Sequence, residues 1–257
     1  MDPTERFTVI VCGAESDIAL DEASLVIAAH AHSDLDIAAR LHQLDTLADS
    51  LEVHDAGALA HALFTELGFT GNTVDYGDPE NSYLDAVLDR RLGIPITLSV
   101  LMIEVGRRRG IDVHGVGMPG HFLVGAQPGQ FFDPFDGGVC LDVTACAERF
   151  ATVQPGTTFR PEFLAPVGTL TILDRMLTNL QHSLIDRAPA RAAWPTRLRL
   201  RLPGISPVRR AELAALLGGL GQFSEAAAEL DAAARELPSP KAEQAAQAAA
   251  RLRARAN

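Results

Sequence analysis

At Gly110 the hydrophobic period of this chain changes. Before it, apolar residues return every three or four positions: Ile37, Leu41, Leu44, Leu47 and Leu51 in one run, Leu98, Leu101, Met102 and Val105 in another. That is the repeat of an amphipathic helix. From Ile111 to about Val143 the chain breaks into short glycine-punctuated segments, "VHGVGM", "HFLVGA", "QFFDPF" and "GVCLDV". Their length and breaks suit an antiparallel sheet. Helices first and strands second imply an α+β core.

The expected organisation has three parts. Residues 1–70 form a helical N-terminal region packed on the core. "DEASLVIAAHA" puts Leu25, Ala28 and Ala29 on one face, and "AGALAHALFTELGF" is a helix stopping at Gly68. Residues 71–165 form the core, entered through the loop "GNTVDYGDPENS". Within it a helix begins at Pro95, because proline suits the first helical turn, where its missing N–H is not needed. That helix ends at Arg107-Arg108-Arg109-Gly110, cations at the negative end of the helix dipole rather than a phosphate site. Residues 166–257 form a helical tail. In it, 207–240 fit one tetratricopeptide-type repeat: Leu213, Ala214 and Leu217, a turn at Gly221 and Phe223, then Ala226, Leu230 and Ala233, closed by Pro238.

Composition narrows the function. Residues 1–159 carry a net charge of −16 and residues 160–257 one of +5, so the acidic larger part disfavours nucleic acid as a partner. No apolar run approaches the ~20 residues that span a bilayer. With no basic-then-apolar start, the expectation is a cytoplasmic protein with no membrane partner. Cys12, Cys140 and Cys146 show no CxxC spacing, which argues against a disulfide framework and a zinc site. His30 and His32, at i and i+2 by a helix end, do not share a face, so no metal site is expected there; no cofactor is expected either.

The stretch "NSYLDAVLDRRLGIPITLSVLMIEVGRRRGIDVHGVGMPGHFLVG", followed by "FFDPFDGG", resembles the bacterial SirB family of transglutaminase-like proteins with a tetratricopeptide tail. The resemblance extends from about residue 17 to 240. It implies a papain-like core, whose active members use a Cys-His-Asp triad with the thiol at a helix N-terminus, where dipole and histidine favour thiolate. On that pattern the histidine is His121 and the aspartate Asp133. The nucleophile position is Pro95, which carries no nucleophile.

Two replacements are conceivable. Ser99 shares a helix face with Pro95 but lies about 6 Å further along the axis. Cys140 follows Asp133 on a strand, where a free cysteine ordinarily serves as a small hydrophobe. Thr97 points about 200° away from Pro95, and Cys12 and Cys146 have no activating context. Asn81 reads as an N-cap, with a place in a cleft beside Pro95, Ser99 and Phe122 implied by the resemblance. Gly120 reads as permitting close approach to the Pro95 helix. The resulting expectation is a non-catalytic protein that binds a protein partner; the alternative is an amide hydrolase or acyl transferase using Ser99 or Cys140 with His121 and Asp133.

Overall fold

The structure is a computed structural model and is described for residues 1–256. The chain divides into two compact units, Met1–Met176 and Leu177 onward. The division falls inside a helix, and residues 1–70 belong to the first unit together with the core.

The first unit opens with α1 (Pro3–Val11), capped by the Asp2 carboxylate, which accepts from the Thr4 and Glu5 N–H groups. The sequence reading placed no helix there. Next come α2 (Leu20–Ala28), α3 (Ile37–Asp49) and α4 (Ala56–His61), the last widening into a π turn over Ala62–Glu66. Asp36 and Asp55 cap α3 and α4 by accepting from the N–H groups of Ala39 and Ala58.

The strand β1 (Thr70–Gly71) pairs in parallel with β2 (Leu92–Gly93), and between them lies α5 (Leu84–Arg90). The central helix is α6 (Pro95–Arg109), with proline in its first turn and Gly110 in the left-handed conformation at its end, as the sequence predicts. Its residues 95–102 are all buried, because α2, α3, α4, α5 and the sheet pack around it. A helix apolar on every side can only be a core helix.

The three arginines do mark a helix end, and two of them also do more. Arg108 bonds Asp21, Asp45 and Glu104, and Arg107 bonds Glu104 and Asp21. Asp21 lies on α2 and Asp45 on α3, so this ionic cluster ties both helices to α6. Glu104 is 2% exposed. Burial, reinforced by the neighbouring Asp21 charge, pushes its carboxyl up to about 7 against the pull of Arg107 and Arg108. Burial also acts on Asp21, but Arg108, the Glu22 N–H and Arg107 outweigh it and hold that carboxyl below its ordinary value.

The glycine-punctuated segments form an antiparallel sheet in the order β3 (His114–Val116), β4 (Leu123–Gly125), β5 (Phe131–Asp133), β6 (Val139–Leu141). After it the chain forms α7 (Val143–Val153), capped by Asp142, which the sequence reading missed. Cys146 and Phe150, one turn apart, seat α7 on Val116, Met118, Leu123 and Phe131. The helix α8 (Thr169–Arg187) follows.

In the second unit, α9 (Ala193–Arg201), α10 (Pro207–Gly219), α11 (Phe223–Ala234) and α12 (Lys241–Ala256) pack in succession. Leu213, Leu217 and Ala226 meet Ala193 and Leu200, while Ala214, Ala227 and Leu230 meet Ala245 and Ala249. The helix pair expected over 207–240 is present, with its apolar positions buried. The segment before Pro207 adds α9, whose basic sequence gives little amphipathic signal.

Candidate functional site

His121 reaches its position through a turn whose chemistry is written in four residues. In Met118-Pro119-Gly120-His121, proline and then a glycine at φ +78° suit a type II turn, closed by the His121 N–H on the Met118 carbonyl at 3.0 Å. The turn leads into β4. Asp133 ends β5, and with Val124 opposite Phe132 the antiparallel register brings the end of β5 beside the start of β4. The two side chains meet there: His121 Nε2 lies 2.8 Å from Asp133 Oδ2.

Asp133 is fully buried and its carboxylate is saturated. Oδ1 accepts from the Phe135 and Asp136 N–H groups, capping the short 3-10 turn Pro134–Asp136. Oδ2 faces both His121 and, at 3.4 Å, the Arg149 guanidinium. A carboxylate surrounded by donors is an acceptor, so the histidine proton sits on Nε2. Among the described residues Nδ1 makes no hydrogen bond.

Two arginines hold this pair in place. Arg149, on α7, bridges Asp133 and Asp136. Arg175, on α8, donates to the Met118 carbonyl at 3.2 Å and the His121 carbonyl at 2.9 Å, and its guanidinium stacks over the Phe122 ring. It thus grips both ends of the histidine turn. Phe135 meets the His121 ring edge-on, and Tyr76 meets Phe135 the same way. Gly120 does permit a close approach, but to a different helix than expected. A Cβ there would stand 2.6 Å from Gln154 Nε2, at the end of α7, rather than against α6.

The start of α6 carries no nucleophile. Pro95 occupies its first turn, and Ser99 Oγ donates to the Pro95 carbonyl at 2.8 Å. Ser99 makes no hydrogen bond to His121. Thr97, facing elsewhere on the helix, is buried with its hydroxyl unpartnered. Cys140 is exposed on β6, opposite Phe132, and likewise makes no hydrogen bond to His121. Cys146 is buried, and burial together with Asp142 and Asp133 pushes its thiol up to about 11, which keeps it protonated and unreactive. Cys12 is exposed on the surface.

The residues expected to line a cleft, Asn81, Pro95, Ser99 and Phe122, are all buried. Asn81 is not an N-cap: Asp78 caps the turn Pro79–Ser82, and Asn81 lies within it. Its amide donates to the carbonyls of Asp75 and Tyr76 and accepts from Asn72, stitching the 72–78 loop. Its backbone carbonyl receives the Ile94 N–H, so that loop is anchored directly beside Pro95. Phe122 fills the space over Gly115 beneath Arg175. His30 and His32 diverge, as their spacing predicts. His30 bonds Val26 and Thr4, His32 bonds Asp85 and Glu80. Among the described residues no three His, Cys, Asp or Glu side chains converge as metal ligands, and no helix is long and apolar enough to cross a membrane.

Arg149 and Arg175 are the site residues that sequence reasoning missed. For Arg149 a signal existed: Asp142 as cap with Cys146 and Phe150 four apart marks an amphipathic helix. Arg175 had none, since its partner His121 lies 54 positions away.

Comparison with known proteins agrees with this architecture. The family model of the transglutaminase-like superfamily matches residues 29–178. A UPF0162 protein of Xylella fastidiosa is 44% identical over 134 residues, 49% of this chain and 47% of its own length. The UPF0162 protein of Pseudomonas aeruginosa is 31% identical over 191 residues, 70% of each chain. Mouse F-box only protein 21 is 32% identical over 134 residues, 48% of this chain but 21% of its own. The chain spans about half the length of the curated relatives from Xylella and Vibrio. No solved structure matches it. A helical and antiparallel core with an ordered His121–Asp133 pair, matched by the family model over more than half the chain, places this protein in the transglutaminase-like superfamily.

Proposed function

We propose that this chain is a non-catalytic, SirB-type transglutaminase-like protein of the cytoplasm that binds a protein partner. The observation carrying this reading is the start of α6, where the position that the resemblance assigns to the nucleophile is Pro95 and the Ser99 hydroxyl is engaged by the Pro95 carbonyl. His121 and Asp133 then act as a structural brace between β4 and β5. The helix pair α10–α11, of tetratricopeptide type, supplies a surface of the kind that recognises other chains. The same core forms a fifth of a much longer relative, F-box only protein 21, which fits a module serving within larger assemblies.

Activity-based labelling tests the reading. A fluorophosphonate and an iodoacetamide probe are expected to give no labelling that depends on His121. Specific labelling of Ser99 or Cys140 that disappears in His121→Ala would sink it and establish the hydrolase alternative. Capture of interacting proteins by the intact chain, against a chain truncated before Pro207, locates the partner surface.

A further inference from the structure

A groove of about 380 Å³ is walled by α3, α5 and the segment 67–69, and its volume is within the range of small-ligand sites. Its apolar surface comes from Leu47 and Leu67, both partly exposed, and from the buried Phe69 and Leu88. The chain around it is rich in carboxylates, yet no acidic residue lines this groove. The one charged side chain on its wall is Arg91.

Arg91 is held there by its backbone. It ends α5 at φ +56°, the one left-handed residue other than glycine among the described residues. Glycine fills such a helix end without steric cost, so an arginine there points to a use for its side chain. Its N–H donates to the Val87 carbonyl and its own carbonyl accepts from the Thr70 N–H, which fixes where the side chain starts.

The guanidinium donates once, to the Leu67 carbonyl at 2.8 Å, and among the described residues it forms no ion pair. Across the groove, Thr46 and Ser50 donate their hydroxyl protons to the His42 and Leu47 carbonyls, and Gln43 Oε1 accepts from Arg40. The uncommitted donors are therefore the remaining guanidinium N–H groups and the Gln43 amide. A planar cation with N–H groups to spare matches the paired oxygens of a carboxylate. The leucines and Phe69 beside it match an apolar body, and the absence of lining acids removes the repulsion that an anion meets elsewhere on this chain.

We propose that this groove binds a small organic carboxylate with an apolar body, its carboxylate on Arg91 and its body over Leu47, Leu67, Phe69 and Leu88. None of the residues around His121 takes part, so occupancy is independent of whether that pair is catalytic.

The test is an NMR titration of the full-length chain with 3-phenylpropionate, following the amide signals of Thr46, Leu67 and Leu88. Saturable shifts are expected, with none from the neutral 3-phenylpropanamide or the cationic 2-phenylethylamine. Arg91→Gly suits the left-handed backbone and so keeps the fold, and it should weaken binding by about tenfold or more. Leu47→Glu sets a carboxylate on the partly exposed face of α3 and should weaken binding by about tenfold as well. It decides the matter if Arg91→Gly does not fold. Absence of saturable shifts, an equal response to the amide or the amine, or unchanged affinity in Leu47→Glu or in folded Arg91→Gly overturns the proposal.

Discussion

His121 and Asp133, twelve residues apart, are joined by a 2.8 Å hydrogen bond in which every lone pair of the carboxylate faces a donor. Removing the carboxylate strands the Phe135 and Asp136 N–H groups and the imidazole together, and leaves Arg149 only Asp136. Asp133→Ala should therefore destabilise the first unit by ~3 kcal/mol or more, whereas His121→Ala, which leaves Asp133 three other donors, should cost only about 1–2 kcal/mol. Urea unfolding followed by circular dichroism measures both, and equal effects would contradict a carboxylate-centred brace.

A thiol placed at the start of α6 tests whether the pair is still poised for chemistry. Pro95→Cys is expected to react with iodoacetamide with an apparent pKa below the ~8.5 of a free cysteine, because the helix N-terminus and His121 both favour thiolate. In the double variant with His121→Ala the pKa should return toward that value. A Pro95→Cys thiol that alkylates no faster than free cysteine at pH 6.5 would mean that burial at position 95 outweighs the helix N-terminus and His121, so the pair is not poised for thiol chemistry.

Arg175 holds the histidine turn by two carbonyls at once. Arg175→Lys keeps the charge but not the planar fork, so it should lose about 1–2 kcal/mol of stability. It should also increase hydrogen exchange at the His121 N–H, which closes that turn. Unchanged exchange there would remove Arg175 from its positioning role.

Gly71 lies under the turn that Asp133 caps. A Cβ there would be 2.4 Å from the Phe135 ring and 2.6 Å from the Phe135 carbonyl oxygen. The backbone atom cannot swing aside as a flexible side chain would. Gly71→Ala should cost about 1–3 kcal/mol by overpacking, readable as a lower Tm, and should perturb the His121 ring signals through Phe135.

The ionic cluster at α6 predicts a pH dependence with a definite sign. Glu104 titrates near 7 in the folded chain but near 4.5 when unfolded, so between these values the folded state holds the extra proton. Stability is then lost as pH rises from about 5 to 8, by ~3 kcal/mol at 1.36 kcal/mol per unit. His32 acts in the same sense. Burial opposes its charge, but Asp85 and Glu80 raise its pKa, so its contribution is also lost as pH rises through the folded value. His30, whose pKa burial lowers, works the opposite way, losing stability as pH falls. Melting temperatures at pH 5, 6.5 and 8 should show a decline that Glu104→Gln flattens; an equal decline in the variant would rule out Glu104 as its source.

Much of this protein is determined by sequence alone, wherever structure depends on neighbours a few residues apart. Pro95 and Gly110 bound α6 because proline suits a first helical turn and glycine a left-handed end. Short glycine-punctuated segments give the antiparallel strands, and Met118-Pro119-Gly120-His121 contains its own turn. The resemblance singled out His121 and Asp133, and the fold brings them together. Tertiary structure decided what lies far along the chain. Arg175 finds His121 across 54 residues, His32 finds Asp85 across 53, and Arg108 finds Asp21 across 87. Hydrophobic period records which face a residue presents to the core, but it does not record which distant donor will meet a buried acceptor. That is why Asn81 proved to be the stitch of a loop rather than a helix cap, and why Gly120 abuts α7 rather than α6.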